Sequence, residues 1–291
     1  MRYIKYNKYI LITLVALCWG IHPSISKLAM AAHANAYMIV LMQNISIIFI
    51  SLLINALYPL PNIFNKKHIK YALAGSLLSY GIAIPIMTMT TKHLMILHIL
   101  LLIGLAPLFT YLIALMIRQS SLHRTRLVST LISFLALFIL FLNDIVTQSQ
   151  ISKWYLIILL TPLAFAVLNN IIKTWAKHEL HVIGLVFYQN VFSACLISFI
   201  LIFTHHLYTP TQSLTPNFLM LILILSTLHL SGQFFFYRLI QVANIVFSSQ
   251  ASNLSIIIGV LWAIFIGHED LSTSFFIAMA TMLYGVYLSQ K

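Results

Sequence analysis

Runs of about twenty apolar residues follow one another along the whole chain, separated by short polar or charged clusters. Each run is long enough to cross the hydrocarbon core of a bilayer as an α-helix. We number ten such runs as spans 1 to 10. They lie at residues 10–32, 37–58, 69–90, 94–117, 127–145, 154–175, 182–204, 218–237, 243–266 and 272–288. The sequence therefore predicts an all-α integral membrane protein with ten transmembrane helices.

The spans leave little of the chain for anything else. Ten of them use about 200 of the 291 residues, so the connecting loops average roughly eight residues and exclude a soluble catalytic domain. Only 7% of the residues are charged, against about 25% in soluble domains. Both cysteines, Cys18 and Cys195, lie inside apolar runs, which excludes a disulfide framework. The turns at 91–93 and 238–242 are so short that eight or nine spans are the alternatives.

The first span has a second interpretation as a secretory signal. Basic residues precede it, and Ala29-Met30-Ala31 mimics a signal-peptidase site. The apolar stretch is longer than a usual signal core, and Pro23 and Lys27 would lie awkwardly within one. We therefore expect this span to be retained as a helix.

The sixteen Lys and Arg residues are distributed unevenly between the two sides of the predicted membrane. If the N-terminus is cytoplasmic, all but Lys27, Lys92 and Lys153 fall at cytoplasmic ends or loops. Cytoplasmic loops retain basic residues, so this orientation is favoured. We expect a protein of the cell membrane, the inner membrane, with both termini cytoplasmic. The net charge of +12 then follows from topology, and nucleic acid is not expected as a partner.

The two halves of the chain show a weak internal similarity. A shift of 146 positions superimposes identical residues, namely Lys27 on Lys173, Val40 on Val186, Gln43 on Gln189 and Asn44 on Asn190. A shift of 149 aligns residues 118–122 with residues 267–271. Five spans per half is an odd number, so the halves would insert in opposite orientations, as is common among secondary carriers. We predict two five-helix repeats, 1–146 and 147–291, in a 5+5 inverted arrangement.

Three short motifs resemble those of the drug/metabolite transporter superfamily, EamA branch. Ala16-Leu17-Cys18-Trp19-Gly20, followed seven residues later by Lys27, is similar to the signature of its first span. Pro107-Leu108-Phe109-Thr110 is similar to a motif of its span 4, and Gly267-His268-Glu269-Asp270-Leu271 to one between its spans 9 and 10. The resemblance implies a 5+5 carrier with a central cavity that works by alternating access, with spans 5 and 10 peripheral.

The sequence departs from that family pattern at three places. Ser120 stands at the acidic position after span 4, and a proline expected near Ile256 in span 9 is missing. The arginine often found in span 2 is replaced around Gln43 and Asn44. These departures affect the assignment of a substrate more than the fold.

Polar side chains at membrane depth are costly, so those that are present usually face the bundle interior or a wet cavity. At 100° per residue, several polar and aromatic residues of spans 1 and 8 share one helical face in each span. Other candidates lie in spans 2, 6 and 9. We predict a substrate-binding set of Trp19, His22, Ser26, Lys27, Asn44, Asn169, His229, Gln233, Phe236 and Asn253.

Structural roles compete with binding at several positions. Lys27 and Lys173 lie near helix ends and can extend to lipid headgroups. Pro23 can simply bend span 1, and the polar face of span 8 can be a seam between helices. Glu269 is expected to accept hydrogen bonds or to pair with a base near the outer surface. A stripe of small residues in span 9 favours close helix packing: Ser248, Ser252, Ser255 and Gly259.

Together these features predict a secondary carrier for a small organic metabolite, amino-acid-like and zwitterionic or anionic. A lipophilic cation would need a carboxylate at depth, and all four carboxylates lie at predicted ends or loops. An enzyme is therefore not expected, nor is a metal or another cofactor, because the twelve histidines form no four-ligand set. Proton coupling should run through histidine or be absent. The alternatives are a membrane-embedded lipid-modifying enzyme, a lipid flippase subunit and a channel.

Overall fold

The chain is a bundle of long apolar helices. A computed structural model describes residues 7–31, 35–59, 64–118, 153–176, 181–204, 215–243, 245–269 and 272–289, together with isolated residues between 124 and 139. Within these ranges there is no strand, and eight helices are long and apolar enough to cross a membrane. They are Lys8–Ala31, Ala36–Leu57, Lys66–Thr90, Ile96–Met116, Lys153–Trp175, Val182–Phe203, Pro216–Val242 and Phe247–Phe265.

These eight helices correspond to spans 1 to 4 and 6 to 9, and a shorter helix, Thr273–Ser289, corresponds to span 10. The prediction of an all-α, multi-pass membrane protein is confirmed at this level. Most of span 5, predicted at 127–145, lies outside the described residues.

The sequence predicts short turns at 91–93 and 238–242. The structure contains the first turn but not the second. A turn after Thr91 separates spans 3 and 4, as predicted. Span 8, however, continues through Arg238 to Val242, and the chain becomes extended only at Ala243. Leu239 and Ile240 are buried, so the apolar face of the helix carries on past the arginine. Arg238 itself lies over the ring of Phe234 and donates to Gln241, which accounts for its place within a helix.

Three spans are irregular near their centres. Span 3 passes through a π-helical segment, Ser76–Ala83, and span 4 is interrupted before a second segment, Ala106–Met116. In each case a proline lies within the first turn of the helical segment that follows, where its missing N–H costs least. Span 9 is divided at Gln250 into Ile245–Ser249 and Ala251–Phe265. Such interruptions at membrane depth are tolerated where the backbone lines a cavity or is buried in protein.

Span 1 lies between spans 8 and 9, and span 6 lies against spans 3 and 4. Spans 2 and 7 pack against each other; span 2 also contacts span 8, and span 7 also contacts span 3. The helices that come from opposite ends of the sequence are therefore interleaved, and the space between them is shared by both halves of the chain.

Glycines allow spans 1 and 9 to approach closely. A Cβ atom added at Gly20 would lie 2.8 Å from the carbonyl oxygen of Ser255 and 3.0 Å from the amide nitrogen of Gly259. One added at Gly259 would lie 2.9 Å from the carbonyl oxygen of Gly20. Lipid tails are as apolar as the helix surfaces, so such close backbone contact is a main source of helix association in a membrane.

Replacement of Gly20 by alanine should therefore destabilise the protein. The backbone atoms that meet the new methyl group cannot rotate away, so we expect overpacking of about 1 to 3 kcal/mol to exceed the gain in helix propensity. Gly81→Ala is the matched control, because there the nearest atom, at 3.0 Å, is the end of the Leu196 side chain. Thermal unfolding of purified protein in detergent should show a lower midpoint for Gly20→Ala than for Gly81→Ala. Equal midpoints would show that spans 1 and 9 do not depend on this contact.

Candidate functional site

A cavity lies at the middle of the bundle. Its empty volume is about 840 Å³, a figure that includes the open space at its mouth. Spans 1, 3, 4, 6, 8 and 9 all contribute to its wall. The lining residues are Trp19, His22, Pro23, Ser79, Ile84, Met87, Leu100, Ile103, Phe165, Leu168, Asn169, His229, Gln233, Phe236, Tyr237, Ser252 and Ser255.

Two aromatic rings from spans 1 and 8 form one wall. The ring centroids of Trp19 and Phe236 lie 4.7 Å apart, at an angle of 49°. Gly232 makes room for the indole, because a Cβ atom there would lie 2.6 Å from its Nε1 atom. A tilted aromatic pair offers a flat apolar surface and can also hold a cationic group through its π-electrons.

The polar part of the wall is built around two histidines. The ring centroids of His22 and His229 are 5.7 Å apart, and the ring of Tyr80 lies 5.2 Å from that of His229. The Tyr80 hydroxyl donates to Oε1 of Gln233, at 3.0 Å. Span 3 thus fixes the side-chain amide of span 8 that faces the cavity.

The hydrogen bonds around His22 define its tautomer. The amide nitrogen of Gln43 lies 3.3 Å from the carbonyl oxygen of Leu225, which can only accept, and 3.5 Å from Nε2 of His22. Nε2 of His22 therefore faces a donor, so the proton belongs on Nδ1. Nδ1 can then donate to the hydroxyl of Ser26, 3.3 Å away. Both nitrogens of His22 are engaged.

His229 is held differently. Its side chain is 7% exposed, and its Nε2 atom is fully buried without a hydrogen-bond partner among the described residues. Buried polar atoms are normally paired, so this nitrogen of a cavity-lining residue lacks the partner that its burial calls for.

Asn169 joins the cavity to the Pro-Leu-Phe-Thr motif of span 4. Its Nδ2 atom lies 3.4 Å from the hydroxyl of Thr110, and the neighbouring Asn170 donates to the Thr110 carbonyl at 3.2 Å. The Thr110 hydroxyl in turn donates to the carbonyl of Ala106. The motif therefore fastens span 4 to span 6 beside the cavity.

Six of the ten predicted site residues do line the cavity: Trp19, His22, Asn169, His229, Gln233 and Phe236. The other four lie outside it. Ser26 supports His22, and Asn44 donates to Ser193 of span 7 at 2.7 Å. Asn253 donates to Gln250 at 2.7 Å, across the break in span 9. Lys27 is bonded to Glu269.

Glu269 holds three spans together at one end of the bundle, which we call the Lys27 end. Its Oε1 atom accepts from Nζ of Lys27 at 2.8 Å and from the amide of Ile96 at 2.7 Å. Its Oε2 atom accepts from the amide of Leu97 at 3.1 Å. The carboxylate therefore caps the N-terminus of span 4, where free amides and the helix dipole favour negative charge.

The residues before Glu269 direct it inward. Span 9 ends in a turn in which the Glu269 amide donates to the carbonyl of Ala263. His268 has a φ of 49°, and a Cβ atom at Gly267 would lie 2.5 Å from that same carbonyl. A left-handed residue at the end of a helix is a common way to turn the chain. The Gly267-His268-Glu269 turn thus directs the carboxylate towards Lys27. This agrees with the expectation that Glu269 pairs with a base.

Neutral groups join the helices at the opposite end of the bundle, which we call the Trp175 end. Nε1 of Trp175 lies 3.3 Å from Nδ1 of His68, and the rings of Trp175 and Tyr237 are 5.9 Å apart. The Tyr237 hydroxyl donates to Oε1 of Gln189 at 3.0 Å. Lys173, near this end, is half-buried. No carboxylate lies there among the described residues, of which Glu269 is the sole acidic member.

Sequence reasoning missed the contributions of spans 3 and 4. Ile84, Met87, Leu100 and Ile103 line the cavity but are apolar residues in apolar runs, so nothing distinguishes them in the sequence. Tyr80 could have been found, because a tyrosine in the middle of a span usually needs a hydrogen-bond partner.

Comparison with known proteins shows the fold alone. No protein-family model matches the chain, and no curated protein matches it. A solved crystal structure of a protein aligns with it at a TM-score of 0.68, over 96% of both chains, with 12% sequence identity. Such a low identity carries no functional argument, but the alignment shows that the whole helical architecture has a counterpart among solved structures.

The contacts of Glu269 predict unequal effects of two substitutions. Glu269→Gln removes the charge from a group with three donors, and charge-assisted bonds contribute about 1.5 to 3 kcal/mol each. Lys27→Met removes one donor from a lysine whose side chain is 36% exposed, so its cost should stay below about 1 kcal/mol. Thermal unfolding in detergent should therefore show the lower midpoint for Glu269→Gln. A larger loss in Lys27→Met would mean that the ion pair, and not the helix cap, is the main role of Glu269.

Proposed function

We propose that this chain is a secondary carrier that moves small organic metabolites across a cell membrane by alternating access, and that it belongs to the EamA branch of the drug/metabolite transporter superfamily that its motifs resemble. The observation that carries the proposal is the central cavity. It is shared by six helices from both halves of the chain and combines an aromatic wall with neutral hydrogen-bonding groups. Carrier sites are typically found at such an interface near the bilayer midplane.

The packing of the spans supports an inverted repeat. If spans 1, 2, 3 and 4 are exchanged for spans 6, 7, 8 and 9, the main helix contacts map onto one another. Span 1 contacts spans 8 and 9, as span 6 contacts spans 3 and 4, and spans 2 and 7 contact each other. In addition, Arg118 and His268, at the ends of spans 4 and 9, are the described non-glycine residues with positive φ.

The two ends of the bundle support alternating access. An ion pair and a helix cap join the helices at the Lys27 end, and aromatic and amide contacts join those at the Trp175 end. Both sets join helices from different halves of the chain and involve few bonds. Opening one end at a time would give a solute in the cavity access to one side of the membrane and then the other.

The lining restricts the charge of the solute. No Asp, Glu, Lys or Arg is among the described residues that line it, and Lys27, which belongs to the predicted binding set, is bonded to Glu269 outside the cavity. A buried charge without a partner is costly. The site therefore favours solutes with no net charge, among them zwitterionic amino acids, and an anion would need a compensating charge.

Solute counterflow tests the proposal. Purified protein in liposomes loaded with unlabelled neutral amino acids should take up the same labelled amino acid faster than empty liposomes do, for at least one member of the series. A carrier gives this exchange because the loaded cavity reorients, whereas a channel or an enzyme does not. Absence of exchange with every amino acid would count against the proposed solute class.

Two glutamine variants link transport to the cavity. Gln233→Met removes the amide that faces the cavity, and we expect counterflow to fall about tenfold or more, in line with the loss of one or two hydrogen bonds to a buried solute. Gln241→Met is the matched control, since Gln241 lies two turns further along the same helix and does not line the cavity. Equal loss in both variants would place the transport path elsewhere.

A further inference from the structure

His229 lines the cavity and carries a buried nitrogen that no other described residue engages. Nε2 of His229 is fully buried, without a hydrogen-bond partner among the described residues, and its side chain lines the cavity. His22, the other histidine of the wall, is different, because Ser26 and Gln43 engage both of its nitrogens. The two rings, 5.7 Å apart, therefore have different capacities to bind a ligand.

The surroundings of His229 are free of fixed charge. The titratable groups that face it are His22 of span 1 and Tyr80 of span 3, with Tyr237 two turns further along its own helix. The wall that spans 4, 6 and 9 contribute is neutral: Leu100, Ile103, Phe165, Leu168, Asn169, Ser252 and Ser255. No neighbour within the described chain can neutralise a carboxylate that enters the cavity.

A zwitterion carries its own compensating charge, but a simple carboxylate does not. An imidazole that takes up a proton supplies both a positive charge and an N–H donor at the place where a partner is missing. Imidazolium and carboxylate together have no net charge, so the desolvation cost of the pair is much lower than that of an isolated anion.

We propose that His229 binds the carboxylate group of an anionic solute in its protonated form, so that each such solute enters the cavity together with one proton. This inference rests on the proposed carrier function and assigns a binding site and a coupling ion to it. Nε2 takes the proton from water and donates the resulting N–H to a carboxylate oxygen. When the solute leaves, the same proton returns to water, and the histidine is neutral again.

Proton uptake fixes the pH dependence of binding. If one proton is bound with each anion, affinity rises by up to about tenfold for each unit that the pH falls. Carboxylic acids stay largely ionised between pH 7.5 and 5.5, so a change in this range belongs to the protein. An uncharged amide of the same shape needs no proton, and its affinity should not depend on pH.

The test uses the full chain in lipid nanodiscs and titration calorimetry at pH 7.5, 6.5 and 5.5. The probes are two matched pairs, benzoate with benzamide and butyrate with butyramide. Buffers of different ionisation enthalpy give the number of protons taken up by the wild-type protein, so this part does not depend on any variant folding. We expect about one proton per bound acid and none per amide.

Two variants locate the proton. His229→Gln keeps a donor of similar reach but cannot titrate, so acid binding should become weak and independent of pH. His93→Gln is the control, because His93 lies in the turn between spans 3 and 4, stacked on Trp154 at a centroid distance of 3.9 Å. Partial desolvation and the charges of Lys92 and Lys153 lower the pKa of His93. Its replacement should leave the pH dependence of acid binding intact.

Each outcome decides the inference. Acid binding without proton uptake, or a pH dependence that survives in His229→Gln, would overturn it. So would binding of the amides alone, or of none of the four probes, whatever the counterflow assay reports. If counterflow of zwitterions is observed but acids bind without protons, the carrier function stands and the role of His229 does not. If no counterflow is found, yet acid binding takes up a proton through His229, the binding site stands and the transport proposal fails.

Discussion

The close approach of span 1 to spans 8 and 9 is the contact on which the rest of the structure depends. Gly20 and Gly259 bring two backbones together, and Gly232 leaves room for the indole of Trp19 on the other side. With span 1 held there, His22 faces His229 across the cavity, and Lys27 reaches Glu269 at the end of span 9. These three glycines thus position both the polar wall of the cavity and the ion pair at the Lys27 end.

The helices could be predicted from the sequence because the bilayer imposes their length and their apolar character. The limits of that reasoning are visible at Arg238. The charge of Arg238 predicts the end of a span, but the buried Leu239 and Ile240 continue the helix, and the guanidinium is held by Phe234 and Gln241. A charged residue therefore does not by itself mark the end of a helix.

The site could be predicted only in part, for a related reason. Six polar or aromatic residues of the predicted set line the cavity, as expected if polar side chains at depth are costly and face inward. Lys27 and Asn44 also turn towards other helices, but their partners are side chains of the protein, Glu269 and Ser193 respectively. A single sequence shows that a polar group is buried. Whether another helix or a solute is its partner depends on three-dimensional pairing.

The unequal ends of the bundle have a consequence under the proposed inverted repeat. Lys27 and Lys173 occupy equivalent positions, but only Lys27 has an acidic partner among the described residues, and the position equivalent to Glu269 is Ser120. The carboxylate of Glu269 makes charge-assisted bonds to Lys27 and to two backbone amides, whereas the contacts of Trp175 and Tyr237 join neutral groups. The two ends of the bundle therefore depend on different kinds of interaction. If the chain is the proposed carrier, this difference between the ends of the described helices would make its two orientations unequal in energy.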